Sequence, residues 1–522
     1  MAGYSLLNLL QRRSANGARS HACGAAVRYR DDVRLVCDTD RRGMIRRIKP
    51  ESAVWFELRI VNWVGKAAFH SHKRCQFMKI NRPLLRAVTM VTMLASAACG
   101  SNAKLSVREG TGKTPELPAP DFSTIPTVNM AKAVRWSGDE KPNAASGMVV
   151  KAYARGLNHP RWLYVLPNGD VLVAETNGPD RPDDNTGIRG WIMRKFIKRA
   201  GGATPSPDRI MLLRDTNGDG VADVQTVYLK GLTSPFGMAL LGGNLYIANT
   251  DALVKVPYDS TQTSVTAVPQ KVLDLPAGTI NHHWTKNVIA SEDGTKLYVA
   301  IGSNSNAGEN GIPAETNRAQ IWEVNPVTGG HRLFASGLRN PVGLAWAQNG
   351  GALWVAVNER DEIGGDLVPD YMTSVKDGGF YGFPYSYFGS HVDPRVKEKQ
   401  PDKVASAIIP DYALGPHTAS LGLASAAGSA LGTPFTDGMF VGQHGSWNRS
   451  PVSGYKVIFV PFSGSQPLGP PLDVLTGFLA ENGDAHGRPV GVAIDKKGAL
   501  LVADDVGNVV WRVTKSAITG AR

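Results

Sequence analysis

The chain has 522 residues, with 57 lysines and arginines against 45 aspartates and glutamates, a formal charge of +12. All of that excess lies in the first 99 residues; residues 100–522 hold 39 basic and 39 acidic side chains. A neutral body excludes an electrostatic nucleic-acid binder. Its lack of cysteine excludes disulfide scaffolding, cysteine-ligated zinc and covalent haem attachment there.

Met1–Phe77 is arginine-rich and unpatterned, and reads as upstream sequence translated in frame or as a disordered extension. Met78–Cys99 follows with Lys79, Arg82 and Arg86, then a short apolar run, then Ser96-Ala97-Ala98-Cys99. The run is too short to span a bilayer as a helix, so the pattern is that of an export signal. Its ending is similar to a bacterial lipobox with Cys99 as the lipidated residue, although Ser96 stands where that pattern has a larger aliphatic residue. Translation is expected to start at Met78, and the mature protein to be periplasmic or an outer-membrane lipoprotein. Residues 100–149, rich in Pro, Gly, Lys, Thr and Ser, are expected to form a flexible tether.

From residue 150 to about 516 one phrase returns six times, leaving 517–522 as a tail. It is clearest as GLRNPVGLAWAQNGGALWVAVNER (Gly337–Arg360). Other copies are Gly156–Asn177, Gly231–Thr250, Ile280–Asn304, a stretched copy from His417 to Gly445, and His486–Asp505. Each copy is an apolar run, a glycine-containing turn and a second apolar run, which is a hairpin signal. The spacing lies in the range of propeller repeats, so the expectation is an all-β, six-bladed β-propeller. A hairpin returns the chain to its starting edge. Residues just before the first strand and just after the second therefore share one rim of the central channel. That rim collects Asn158-His159, His282-His283, Arg339-Asn340, His417 and His486-Arg488 before the strands. After them come Glu175, Asn177, Asn249, Asn304, Asn358-Glu359-Arg360-Asp361, Gln443-His444 and Asp504-Asp505. Separately, DTNGDGVAD places Asp215, Asn217, Asp219 and Asp223 at odd positions, as in the start of an EF-hand loop, and is expected to hold a structural calcium apart from catalysis. Thr226 stands where the terminal Glu belongs.

The segments GLRNPVGLAW, NERDEIGGDLVPDYMTSVKDGGFYGFPYSY, HGSWNRSPVSGYKV and GRPVGVA, with INHHW, together resemble the pyrroloquinoline quinone (PQQ)-dependent sugar dehydrogenase family, in its sorbosone dehydrogenase-like branch. The resemblance covers about residues 150–515. It implies PQQ and Ca²⁺ at the channel mouth, oxidation of a sugar or sugar-aldehyde, and hydride transfer to the quinone. With no haem motif in the chain, electrons would pass to a separate acceptor. Residue by residue, the resemblance gives His282 the role of general base, with His283 as the adjacent competitor, since imidazole titrates near operating pH. Arg339 and Asn340 would contact the quinone, Arg339 also stabilising developing charge. Arg488 would bind the carboxylates, and His444, Arg449 or Lys456 would supply another cationic contact. Glu359, Arg360 and Asp361 match the calcium-bearing segment, without the Gly-Pro pair that supplies carbonyls in the soluble glucose-oxidising relatives. Two other readings stand beside this one. One is a lactonase-like hydrolase with Glu175, Asn304 and Asp504 around one calcium; the other is a non-catalytic binding propeller.

Overall fold

The computed structural model describes residues 102–122, 127–179, 194–348 and 350–516, and two short strands nearer the N-terminus. Those two, Gly24–Ala25 and Leu35–Val36, pair antiparallel. The export signal and Cys99 lie outside the described residues.

Between Met148 and Lys515 the described residues form a separate small hairpin, Ser386–Tyr387 with His391–Val392, and six blade sheets, antiparallel except where His331–Ser336 pairs parallel with Gly379–Phe380 in the third. Their innermost strands are Pro160–Val165, Met238–Leu241, Lys286–Ala290, Pro341–Trp346, Ser420–Ser425 and Pro489–Ile494. These six strands touch in sequence order and close into a ring, the last against the first, as expected for a six-bladed propeller. The ring is sealed in the last blade. There Met148–Arg155 enters as the outermost strand beside Val509–Lys515, so the two ends of the domain share one sheet. Each of the six sequence copies forms the inner hairpin of one blade.

The glycine after Pro-Val or Leu in several copies has a steric cause. A Cβ on Gly343 would lie 2.6 Å from the backbone nitrogen of Leu423 in the next blade, and one on Gly491 2.7 Å from the carbonyl of Arg161. Neighbouring inner strands thus meet backbone to backbone, and only glycine fits there. The centre is filled rather than open. Trp162, Phe236, Trp284, Val342, Leu421 and Val490, one from each blade, belong to a single buried cluster. Polar chemistry is therefore displaced to the channel mouth.

The tether expected over 100–149 is replaced, in the described residues, by a strap laid along the propeller. Thr111–Gly112 adds a fifth strand to the fourth blade, against Ala413 and Leu414, and Asn143–Ala144 adds one to the fifth. Before the first of these, Lys104 and Leu105 donate backbone N–H groups to the Asp366 carboxylate; between them, Asp121 N–H binds the Ile363 carbonyl and Asn129 N–H binds that of Trp447. Proline and glycine marked this segment as lacking regular structure, but its backbone donors find partners on blade loops, which fixes it without a helix or long strand.

Candidate active site at the channel mouth

The third blade enters through Asn281-His282-His283-Trp284, with Asn281 at a positive φ of 36°. Two buried basic side chains brace this turn. Both terminal nitrogens of Arg318 lie 3.1 Å from Oδ1 of Asn281, and Nζ of Lys286 donates to the Trp284 carbonyl at 3.1 Å. Burial and the Arg318 charge hold the Lys286 amine well below its ordinary pKa. His283 is fixed by Nδ1, which lies 3.0 Å from the carbonyl and 2.9 Å from the hydroxyl of Ser303 at the end of the blade's second strand. Donation to that carbonyl puts the proton on Nδ1 and the lone pair on Nε2. Burial, Arg339 and the neighbouring His282 hold this imidazole well below the usual histidine range, so it is neutral. The His282 ring is half-buried and meets His283 edge to face at 4.9 Å.

Arg339 and Asn340 enter the fourth blade beside it. A Cβ on Gly302 would meet the Cβ of His283 at 2.5 Å and Oδ1 of Asn340 at 2.6 Å, so both side chains close over that glycine. Oδ1 of Asn340 is buried and has no partner among the described residues. The Arg339 guanidinium is buried among loop oxygens: the carbonyls of Asn306, Asn358 and Glu359, and Oδ1 of Asn306.

A second group centres on Asp505, after the last blade's second strand. Its carboxylate binds Nη1 of Arg161 at 2.7 Å and Nε2 of His444 at 2.9 Å, with Nε2 of His159 at 3.8 Å. These contacts hold Asp505 far below the usual carboxylate range despite its burial. Burial keeps His444 neutral, its pKa pushed down to about 4. Arg161 already balances the carboxylate, so His444 serves as a neutral donor. Cζ of Arg161 stands 5.8 Å from the centroid of the Trp284 ring, which links this group to the third blade. Arg488 completes the set. Its Nη2 binds the Tyr455 hydroxyl at 2.8 Å and its guanidinium lies over that ring. Nε of Arg161 and Nε of Arg488 are buried without partners among the described residues. A cavity of about 270 Å³ opens beside Asp505, walled by strap residue Arg135 and by Lys198 and Arg199 of the helix at 194–199.

The structure thus gathers His282, His283, Arg339, Asn340, His444 and Arg488 at the mouth. Two of the candidate cationic contacts go elsewhere. Arg449 spends its donors on the carbonyls of Gly365, Pro451 and Leu105, the last on the strap, and is a structural tie. Lys456 opens a third strand and pairs with Asp473 on the blade's outer edge.

The calcium loops are also reassigned. Among the described residues no three His, Cys, Asp or Glu side chains converge as metal ligands. Glu359 binds Arg360, which is buried and turns away to Asp393 and the carbonyls of Pro384 and Ser386. In DTNGDGVAD, Asp215 accepts the amides of Gly218 and Gly220 and Asp223 that of Thr216, while Asn217 accepts from Asp219 and Asp219 from Val221. Lys497 reaches the Asp215 carboxylate and Lys151 the Asp219 carbonyl, so cationic side chains already serve that loop. Two of the hydrolase's three ligands are likewise occupied. Glu175 takes the Asn158 amide and Arg209, and Asp504 accepts two amides and the indoles of Trp136 and Trp511. Asn304 donates Nδ2 to the Ala314 carbonyl, and its buried Oδ1 has no partner among the described residues.

Sequence reasoning missed Arg161, Asp505's central part, Ser303, Arg318 and Lys286. Arg161 carried a readable signal: it follows the entrance proline where the copies at Pro341 and Pro489 have valine.

The TrAA12-like family model matches residues 209–378 and 389–516, more than half of the chain. The chain is 24% identical over 433 residues to a pyrroloquinoline quinone-dependent pyranose dehydrogenase of Coprinopsis cinerea, covering 72% of this chain and 54% of that protein. It thus spans about half the length of that relative. An uncharacterized protein of Borreliella burgdorferi is 28% identical over 295 residues, 54% of this chain and 76% of the other. The fold is like that of a Trichoderma reesei member of carbohydrate-active enzyme family AA12, with a TM-score of 0.57 at 18% identity, covering 77% of this chain and all of that one. It is also like the holo PQQ domain of the Coprinopsis cinerea pyranose dehydrogenase, with a TM-score of 0.55 at 22% identity, covering 74% and 100%. The chain belongs to the TrAA12-like family.

Proposed function

We propose that this TrAA12-like protein is a PQQ-dependent dehydrogenase that oxidises a sugar or sugar-aldehyde, of the sorbosone or aldose class, outside the cytoplasm, and hands electrons to a separate acceptor. The observation that carries the reading is that three buried atoms suited to the cofactor, Nε of Arg161, Nε of Arg488 and Oδ1 of Asn340, have no partner among the described residues. Two guanidinium donors suit a cofactor with three carboxylates, and an amide oxygen suits a ring N–H, so these residues fit PQQ. When bound, PQQ would supply the two-electron acceptor.

The chain's own residues would do the rest. Arg161 and Arg488 bind carboxylate, and Trp284 offers an apolar face beneath Arg161. The histidine pair takes the proton from the substrate hydroxyl. His282 is the base that the family resemblance favours, and His283, with Nδ1 tied to Ser303 and Nε2 open as an acceptor, orients the site or replaces it. Arg339 keeps positive charge beside the pair. The calcium implied by the resemblance does not fit residues 358–361, whose carbonyls are already committed, and no step is assigned to it. Lipidation at Cys99 would hold the propeller at a membrane surface.

The test is PQQ binding by the full chain, followed by dye reduction with a panel of aldoses and sugar aldehydes. Expected is PQQ-dependent turnover that falls at least about 100-fold in His282→Ala. Loss in His283→Ala alone would move the base to that residue, and no PQQ binding would overturn the reading.

A further inference from the structure

Five oxygens of the kind that hard divalent cations take surround a cation that belongs to the chain. Nε of Arg339 lies 2.9 Å from the Asn306 carbonyl, and Nη1 lies 3.2 Å from that of Asn358 and 2.6 Å from that of Glu359. Nη2 lies 2.9 Å from Oδ1 of Asn306 and 3.6 Å from Oδ2 of Asp361. The remaining carbonyls of the loop are spent as well. The Arg360 carbonyl accepts from Val368 N–H, and the Asp361 carbonyl from Arg395 and Asn306. Oδ1 of Asp361 accepts from Asn448 and contacts His417. Arg339 itself is 2% exposed, so water does not compete for these groups.

We infer that the guanidinium of Arg339 is the resident cation of the 358–361 loop, and that this mouth binds its cofactor without calcium. A metal ion could take these oxygens only by breaking four guanidinium hydrogen bonds and sitting against a like charge. Arginine is charged at every working pH and its planar fork suits carbonyls on two sides. A chelator cannot remove it. The consequence for cofactor binding rests on the PQQ reading; the occupancy of the loop does not.

Two measurements on the full-length protein separate the two. In the first, Ca²⁺ is titrated calorimetrically into wild type and Arg339→Ala, so that the outer loop at 215–223 contributes equally to both. The inference expects the variant to take up about one equivalent more than wild type. It is overturned if wild-type uptake is lost on Asp361→Asn, an arm that needs no Arg339 variant to fold. In the second, PQQ is titrated into wild type in excess chelator and in millimolar Ca²⁺. Expected is a Kd that changes by less than about twofold, since nothing at the mouth would need the metal. Binding at least about tenfold weaker in chelator overturns the inference. If PQQ binds in neither medium, the functional reading fails, and the calcium titration still decides what fills the loop.

Discussion

Asp505→Asn removes the one charge that holds the second half of the mouth together. In the wild type the carboxylate is 1% exposed and meets Arg161 at 2.7 Å, whose side chain is itself only 13% exposed. The asparagine keeps the shape and one acceptor, but leaves a buried guanidinium without a counter-charge. Breaking a buried pair in this way costs about 3–5 kcal/mol. The surface pair Lys456–Asp473 is the internal control. Its N–O distance is also 2.7 Å, but its side chains are 32% and 53% exposed, so Asp473→Asn should cost under about 1 kcal/mol. The assay is urea unfolding of both variants, with the slope m checked for constancy so that a shift in midpoint reports stability. The pH dependence carries a sign. Asp505 has a depressed pKa when folded, so its contribution is present above the unfolded value near 4 and is lost as pH falls below it. The gap between wild type and Asp505→Asn should therefore be flat from about pH 5 to 8 and shrink by about 1.4 kcal/mol per unit below about pH 4. Equal, small losses in the two variants would refute the reasoning, because burial would then have made no difference to otherwise similar contacts.

Asp370 behaves in the opposite sense. Burial raises its pKa to about 6, so the native state is favoured below the unfolded value near 4 and loses up to about 3 kcal/mol as pH rises through 6; Asp370→Asn should flatten that part of the unfolding profile. Gly442→Ala would press a methyl group into the Val490 carbonyl of the next blade, as Gly422→Ala would from the neighbouring strand. Each should lower stability by about 1–3 kcal/mol or more in thermal unfolding, and an unchanged Tm would refute the backbone-contact account of the glycine repeat. Trp136→Phe removes an indole donor 2.7 Å from Oδ2 of Asp504 and should cost about 1.5–3 kcal/mol. It should also raise the Asp504 pKa above its present value of about 6, readable by carboxyl NMR, because that donor is one of those holding it down.

The blades were legible because each copy carries its whole hairpin locally: two apolar runs, a turn, and a glycine where the inner strands touch. The stretched copy at His417–Gly445 could be read despite its long turn because Ser420–Ser425 and Gly438–Gln443 keep the same ends. The mouth was legible as a rim but not as a set of roles. Arg449 and Arg488 look alike in sequence. One meets the carbonyl of Leu105, more than three hundred positions away, and the other meets Tyr455 and keeps an Nε without a partner among the described residues. No local pattern encodes that difference. The loop at 358–361 misled for a similar reason: oxygen-rich spacing does not reveal that an arginine from the preceding hairpin fills it.

The strap joins these observations. It holds Arg449 through Leu105, Asp366 through Lys104 and Leu105, Ile363 through Asp121, and Asp504 through Trp136. Those contacts fall on the loops that follow Arg339 and on the residue beside Asp505. A propeller closed only by Met148–Arg155 would still have its six blades, but the long 358–368 and 444–455 loops would have fewer partners for their backbone groups. Mouth loops are the segments that open most readily in a rigid scaffold. In this chain the segment that composition marks as a linker supplies partners to those loops and, through Trp136, to the Asp504 carboxylate that accepts the Arg488 backbone N–H. A mouth arranged in this way before any ligand arrives loses less freedom on binding.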